Sequence, residues 1–223
     1  MLDNVTWHAL AGPHEPYAAG NDRTRRYVAG FAPIVGFADP QQPDFTALEA
    51  VCDVGGQLYC GGWAGAVPRG WRIERELTLI AMLWSGVVTE RDTVGDIVDM
   101  GARHLAEATA LIDLTAPGPF GPRAFELGDY VGIYAEGRLV AMAGERMCAG
   151  ALREISCVCT HPDWRGRALA NRLMSELVRR QLQRKEIPFL HVTAINATAR
   201  RLYEWMGFVP HSETVLRLIS RIG

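Results

Sequence analysis

A strand-like run from Glu154 to Thr160 is followed within a few residues by a long helix-like run beginning near Ala168, and Arg165-Gly166-Arg167-Ala168-Leu169-Ala170 stands between them. So short a passage from strand to helix fixes the local unit as α/β. Small residues there aim consecutive backbone N–H groups at one spot, where the positive end of the helix dipole favours an anion. The segment therefore predicts a loop that grips a phosphate group.

The sequence around it continues the alternation. Residues 96–100 predict a strand, and 103–114 a helix with Leu105, Ala108, Leu111 and Ile112 at helical spacing. The proline-rich stretch 117–122 cannot extend that helix and reads as an ordered loop. Residues 130–134 and 138–147 flank the turn-compatible pair Glu136-Gly137 and predict a hairpin. In the strand 152–160, simple alternation places Glu154, Ser156, Val158 and Thr160 on one face and Ile155, Cys157 and Cys159 on the other. The helix after the loop carries Ala170, Leu173, Met174 and Leu177 along one stripe, and its basic end suits the negative pole of the dipole. A strand follows over 189–194, then a helix capped by Asn196 and ending at Met206-Gly207. Two short strands, 208–210 and 214–219, read as a closing hairpin. The sum is a mixed α/β sheet.

Residues 1–92 are interrupted by Gly and Pro turns and yield only a short helix over 45–52, a strand over 57–60 and one or two strands over 71–84. The organisation expected is an N-terminal α/β region, 1–92, before a domain of 93–223. Arg23, Arg25 and Arg26 are read as a solvated loop or helix face.

With charged residues at 22% and a net charge of −2, nothing marks a polyanion surface, so no nucleic-acid partner is expected. The apolar run 77–88 carries Thr78 and Ser85 and falls short of the roughly 20 residues that span a bilayer, so it reads as a buried strand rather than a membrane anchor. The first residues lack the pattern of a secretory signal, and a cytoplasmic location is expected. Cys52, Cys60, Cys148, Cys157 and Cys159 are scattered, odd in number and without zinc spacing, so buried thiols are expected and neither a disulfide scaffold nor a metal.

Three motifs in order resemble the GNAT superfamily of acyl-CoA-dependent N-acyltransferases: Val158-Cys159-Thr160-His161-Pro162-Asp163, then the loop with Arg165 and Ala170 in the family's places, then Asn196-Ala197-Thr198-Ala199-Arg200-Arg201-Leu202-Tyr203 closing with Gly207-Phe208. The family's usual loop glycine stands here as Ala168. The resemblance implies a GNAT-like, mostly antiparallel mixed sheet flanked by helices, with residues 1–92 as a degenerate GNAT-like half or a cover for the cleft.

It also implies acetyl-CoA as cosubstrate, without a metal, and an acetyl group passed to a primary amine of a small molecule or peptide. A non-catalytic acyl-CoA-binding module is the alternative, and a homodimer is the assembly entertained. The donor would be held by Val158, Cys159, Thr160, Arg165, Gly166, Arg167, Ala168, Leu169, Ala170 and Asn196. A lysine-like amine is mostly protonated at neutral pH and must lose a proton before it attacks. Glu154 is the expected base, with a pKa raised by partial burial, and Tyr203 the acid that protonates the departing thiolate. His191 and Glu145 are substitutes for the base, with pairing of Glu145 to Arg146 or Arg138 the plainer reading. Acceptor selection would fall to residues 117–126.

Overall fold

In the computed structural model, which describes residues 1–86 and 96–223, eleven strands form one sheet. They are β1 (Ala18–Gly20), β2 (Thr24–Tyr27), β3 (Ile34–Phe37), β4 (Gln57–Gly61), β5 (Trp71–Trp84), β6 (Ile97–Met100), β7 (Tyr130–Ala135), β8 (Arg138–Ala149), β9 (Leu152–Thr160), β10 (Ile187–Thr193) and β11 (Phe208–Arg221). Across the sheet the order is β1-β2-β3-β4-β11-β5-β10-β9-β8-β7-β6. The pairs β3–β4 and β9–β10 are parallel and the others antiparallel, so the sheet is the mixed, mostly antiparallel one that the resemblance implies.

The helices α1 (Val5–Leu10), α2 (Phe45–Glu49), α3 (Leu105–Thr115), α4 (Leu169–Gln183) and α5 (Ala197–Trp205) cover it. Neighbouring residues on single strands separate the two faces. Ile80, Met82, Leu190 and Val192 pack with Leu173, Met174 and Leu177 of α4 and with Tyr203 of α5. Ala81 and Phe189, which point the other way, pack with Val5, Ala9 and Leu10 of α1. Helix α3 lies on the α1 face, its Ala108, Leu111 and Ile112 meeting Met142, Cys157 and Cys159.

The boundary expected between residues 92 and 93 lies outside the described residues. Strand β5 belongs to the N-terminal part, yet it is wedged between β10 and β11, so both parts of the chain share one sheet. The closing hairpin expected from residues 208–219 is instead a single strand. β11 pairs with β5 along its whole length, and Pro210, which supplies no N–H, is absorbed by a bulge between Pro210 and Ser212. The arginine cluster is not a bare solvated face either. Arg23 pairs with Asp44 at 2.7 Å, Arg25 donates to the Leu10 carbonyl, and the Arg26 Nε is buried.

The face assignment expected for β9 holds only as far as Ile155. Gly144 of β8 lies opposite Ser156 and Met142 opposite Cys159, so β9 carries one residue more than β8 across that interval. The extra residue is accommodated at Cys157, whose φ is 54°. Cys157 and Cys159 consequently turn to α3, while Ile155 and Val158 face α4. Strict alternation cannot anticipate an inserted residue.

Two local features yield measurable expectations. Ala168 is the N-cap of α4 and sits at φ 56°, ψ 20°, the left-handed region in which a Cβ costs roughly 1–2 kcal/mol. Ala168→Gly is expected to stabilise the fold by about 1 kcal/mol, seen as a higher urea midpoint at unchanged slope. Beneath α1, His14 is 3% exposed and held between the Tyr27 hydroxyl at 2.7 Å from Nδ1 and the Cys148 thiol at 3.2 Å from Nε2. Burial, aided by the positive charge of Arg153 and only partly opposed by Glu154, lowers its pKa to about 4. The unfolded chain therefore binds a proton that the folded chain refuses between about pH 6.5 and 4, and stability falls by up to about 3 kcal/mol as pH drops through that window. Urea unfolding of His14→Gln across that range is expected to show a shallower acid loss than the unsubstituted chain.

Candidate functional site

The parallel ladder between β9 and β10 is short. It runs from Leu152–Ile187 to Ile155–Leu190 and stops, although β9 continues to Thr160 and β10 to Thr193. Beyond that point β10 is held by β5, pairing His191, Val192 and Thr193 with Ala81, Ile80 and Leu79, while β9 is held by β8. The edges of β9 and β10 that face each other therefore part, leaving Val158, Cys159 and Thr160 along one side of a cleft. Backbone groups on such an edge have no strand partner across the gap and are free to serve a ligand.

That cleft has a volume of about 1230 Å³ and gathers most of the residues the sequence singles out. The loop Arg165-Gly166-Arg167-Ala168-Leu169-Ala170 lines it at the start of α4. Arg165, Gly166, Arg167 and Ala168 are exposed, and a methyl placed on Gly166 would meet nothing within 4 Å, so the turn is open to a bulky anion. The Arg167 guanidinium lies 4.3 Å from the ring centre of Trp164, which orients one cation beside the loop. Ala168, the departure from the family glycine, keeps the left-handed backbone a glycine would adopt, so the turn survives the substitution.

Asn196 lines the same cleft and caps α5, its Oδ1 accepting from the Ala199 N–H at 3.1 Å. Tyr203, one face of α5 further on, also lines the cleft. Its ring packs against Phe208 with centroids 6.2 Å apart. Among the described residues no group hydrogen-bonds its hydroxyl. Burial, with a smaller contribution from Cys159, pushes its pKa up to about 12, so the phenol keeps its proton across the neutral range.

Glu154 departs from expectation. Its side chain is fully buried, and the residue, opposite Phe189 in the ladder at the root of the splay, takes no part in lining the cleft. Arg146 donates to it through Nε at 2.9 Å and Nη2 at 2.8 Å, and the His191 Nδ1 lies 2.8 Å from its Oε1. Burial alone would raise its pKa, as expected from sequence. The Arg146 charge, together with hydrogen bonds from His191 and Arg146, outweighs burial and holds the carboxyl well below the usual carboxylate range. The expectation of a raised pKa is thus reversed by a partner that alternation does not place there: β8 slips register between Glu145 and Cys148, opposite Glu154.

His191 and Arg146 do line the cleft. His191 presents Nε2, which no described group engages, while Nδ1 is committed to Glu154. Glu145 is remote from this chemistry. It is buried on the α4 side, accepting from Gln181 at 2.9 Å, from the Asp129 N–H at 3.0 Å and from Arg184. Of residues 117–126, Pro117, Gly118 and Pro119 reach the cleft, beside Thr115 and Ala116. A further wall comes from Leu2 to Thr6 at the start of α1 and from residues of β3, β4 and β5, within the region 1–92 expected as a cover for the cleft, and from β11, for which no such role was expected. Among the described residues no group of three or more His, Cys, Asp or Glu is placed to hold a metal, and no helix is long and apolar enough to cross a membrane.

Comparison with known proteins follows the same lines. The family FR47, described as FR47-like protein, matches residues 130–216. A solved structure of a GNAT-family protein from Novosphingobium aromaticivorans is 33% identical, with 99% of this chain and 98% of that one covered at a TM-score of 0.91. A GCN5-related N-acetyltransferase from Kribbella flavida shares the fold at 18% identity and a TM-score of 0.62, covering 96% of this chain and 94% of its own. A GCN5-related N-acetyltransferase-like protein from Streptococcus suis does so at 17% and 0.61, covering 97% and 92%. None of the curated proteins matches significantly. Similarity at 33% identity over nearly the whole of both chains, joined to the splayed strands and the loop at the head of α4, makes this chain a member of the GNAT family of acetyltransferases.

Proposed function

We propose that the protein transfers the acetyl group of acetyl-CoA to a primary amine of a small molecule or peptide. One observation carries the reading: the parted edges of β9 and β10, the anion-accepting loop, the Tyr203 side chain and the His191 imidazole border a single cleft. In this reading Arg165 to Ala170 take the pyrophosphate on backbone N–H groups at the helix start. Val158, Cys159 and Thr160 take the pantetheine arm along the open edge of β9, with Asn196 on the opposite bank. Backbone near Val158, next to the Cys157 bulge, stabilises the oxyanion formed when the amine attacks the thioester.

The base role foreseen for Glu154 is exercised through His191. A buried carboxylate committed to Arg146 is a poor proton acceptor, but it fixes the imidazole with its proton on Nδ1 and its lone pair on Nε2, facing the cleft. The ammonium acceptor gives one proton to Nε2, which passes it to solvent, and the free amine attacks the carbonyl carbon; the tetrahedral adduct collapses with the C–S bond breaking. Tyr203, kept protonated by burial, donates to the departing thiolate, and the second proton lost by the nitrogen restores its phenol.

Tyr203→Phe is expected to lower kcat by about 10- to 100-fold while leaving the Kd for acetyl-CoA within about twofold, measured by thiol release and by calorimetry. Unchanged turnover would remove Tyr203 from the mechanism. His191→Ala is expected to lower kcat/KM by about 100-fold or more and to recover part of the rate when imidazole is added. A variant that keeps its rate would return the base to another group.

A further inference from the structure

Beyond the reaction centre the cleft extends across the α1 face of the sheet as a groove with one polar end. Its floor is apolar and only half-buried: Leu77 and Leu79 of β5, Leu216 of β11 and Tyr59 of β4, with Ile34 of β3 beneath. The strand register sets its direction. His191 lies opposite Ala81, and β5 then leads away through Leu79 and Leu77 to Arg75. At about 3.3 Å per residue, Arg75 is about 20 Å from Ala81, and its long side chain spans part of that interval.

Arg75 also lines the cleft, and its charge is unanswered: among the described residues it has no ion pair and no hydrogen bond. Its neighbours differ, since Glu74 is held by Arg72 and Ser220, and Glu76 by Arg217 at 2.7 Å. At the reaction end the balance is opposite. Arg146 is neutralised by Glu154, and the exposed Asp3 borders the cleft, its carboxylate 3.6 Å from His211. A groove that is acidic where an amine must react, apolar along its length and cationic at its far end complements a molecule with the same polarity reversed.

We infer that the acceptor is a primary amine on an extended apolar body about 10–15 Å long, ending in an anionic group that pairs with Arg75. The inference rests on the proposed amine acetylation for the role of the bound molecule, while the groove's preference is measurable without turnover. Arg75 acts as a specificity-determining residue; it takes no part in bond making.

The probes are ω-aminodecanoate, which carries both charges, and decylamine, which lacks the carboxylate. Calorimetry on the full chain saturated with CoA is expected to show the amino acid bound about five- to tenfold more tightly than the amine. Arg75→Ala is expected to erase that difference and Arg75→Glu to invert it, both leaving decylamine affinity unchanged. Arg75 is exposed, and unchanged thermal unfolding of the variants confirms that the fold is kept. Equal binding of the two probes, absence of binding, or a preference that survives Arg75→Glu overturns the inference. Thiol release from acetyl-CoA is read in parallel: Arg75-dependent binding without transfer supports the groove and counts against acetylation of such amines, whereas transfer indifferent to Arg75 supports acetylation and overturns the groove.

Discussion

The end of the ladder between β9 and β10 is the constraint on which the site depends. After Ile155 and Leu190 the two strands have different partners: β10 goes on with β5 and β9 with β8. Each keeps one hydrogen-bonded neighbour, so the splay frees only the two facing edges, whose backbone groups are left for water or a ligand to satisfy. The two diverging ends also lead into helices. β9 runs through the Arg165 loop into α4, and β10 through Asn196 into α5. Both banks of the cleft are thus helix N-termini, and the positive ends of two dipoles converge on the place where a polyanionic donor would lie.

The root of the splay is closed by charge. Glu154 sits one residue before the last paired position, and the ion pair with Arg146 plus the hydrogen bond from His191 fill the space where the strands begin to separate. A buried ion pair of this kind seldom adds much stability over apolar packing, but loss of one partner strands the other charge at a cost of about 3–5 kcal/mol. Its evident effect here is positional. The bidentate guanidinium fixes the carboxylate, the carboxylate fixes the imidazole, and both the imidazole and Arg146 reach the cleft while the carboxylate between them does not. A carboxyl buried without Arg146 would titrate higher and hold His191 less firmly.

The parts legible in sequence were those governed by local rules. The hairpin at Glu136-Gly137 forms as expected, both residues having positive φ, and β9 has the bounds read from its residues. Asn196 caps its helix because a short side-chain oxygen followed by three free N–H groups leaves little alternative. What escaped depended on distant partners. The bulge at Cys157 is set by register against β8, and Glu154 was expected to titrate high because nothing in the spacing of β9 reveals Arg146. The short strands β1, β2 and β3 lack the length for a periodic signal and gain their definition from α1 and from one another. Pro210 looked like a strand break, and β5 turned it into a bulge.

The position of β5 bears on how the two parts of the chain divide their work. It pairs with β10 on one side and β11 on the other, so a strand from the N-terminal part supports the bank that carries His191. The same strand turns Leu77 and Leu79 toward the cleft, and α1 closes over that face through contacts with Met147 and Phe189. In the proposed reading, donor-side features therefore come from residues 156–205, while much of the acceptor side comes from residues 2–81 and from β11. Because β5 is at once a support for the reaction centre and the floor of the groove, substitutions on its α1 face that alter the floor leave its other face, packed through Ile80 and Met82 against α4, intact. Under the proposed function, that division of one strand's two faces lets the acceptor side vary without disturbing the donor side.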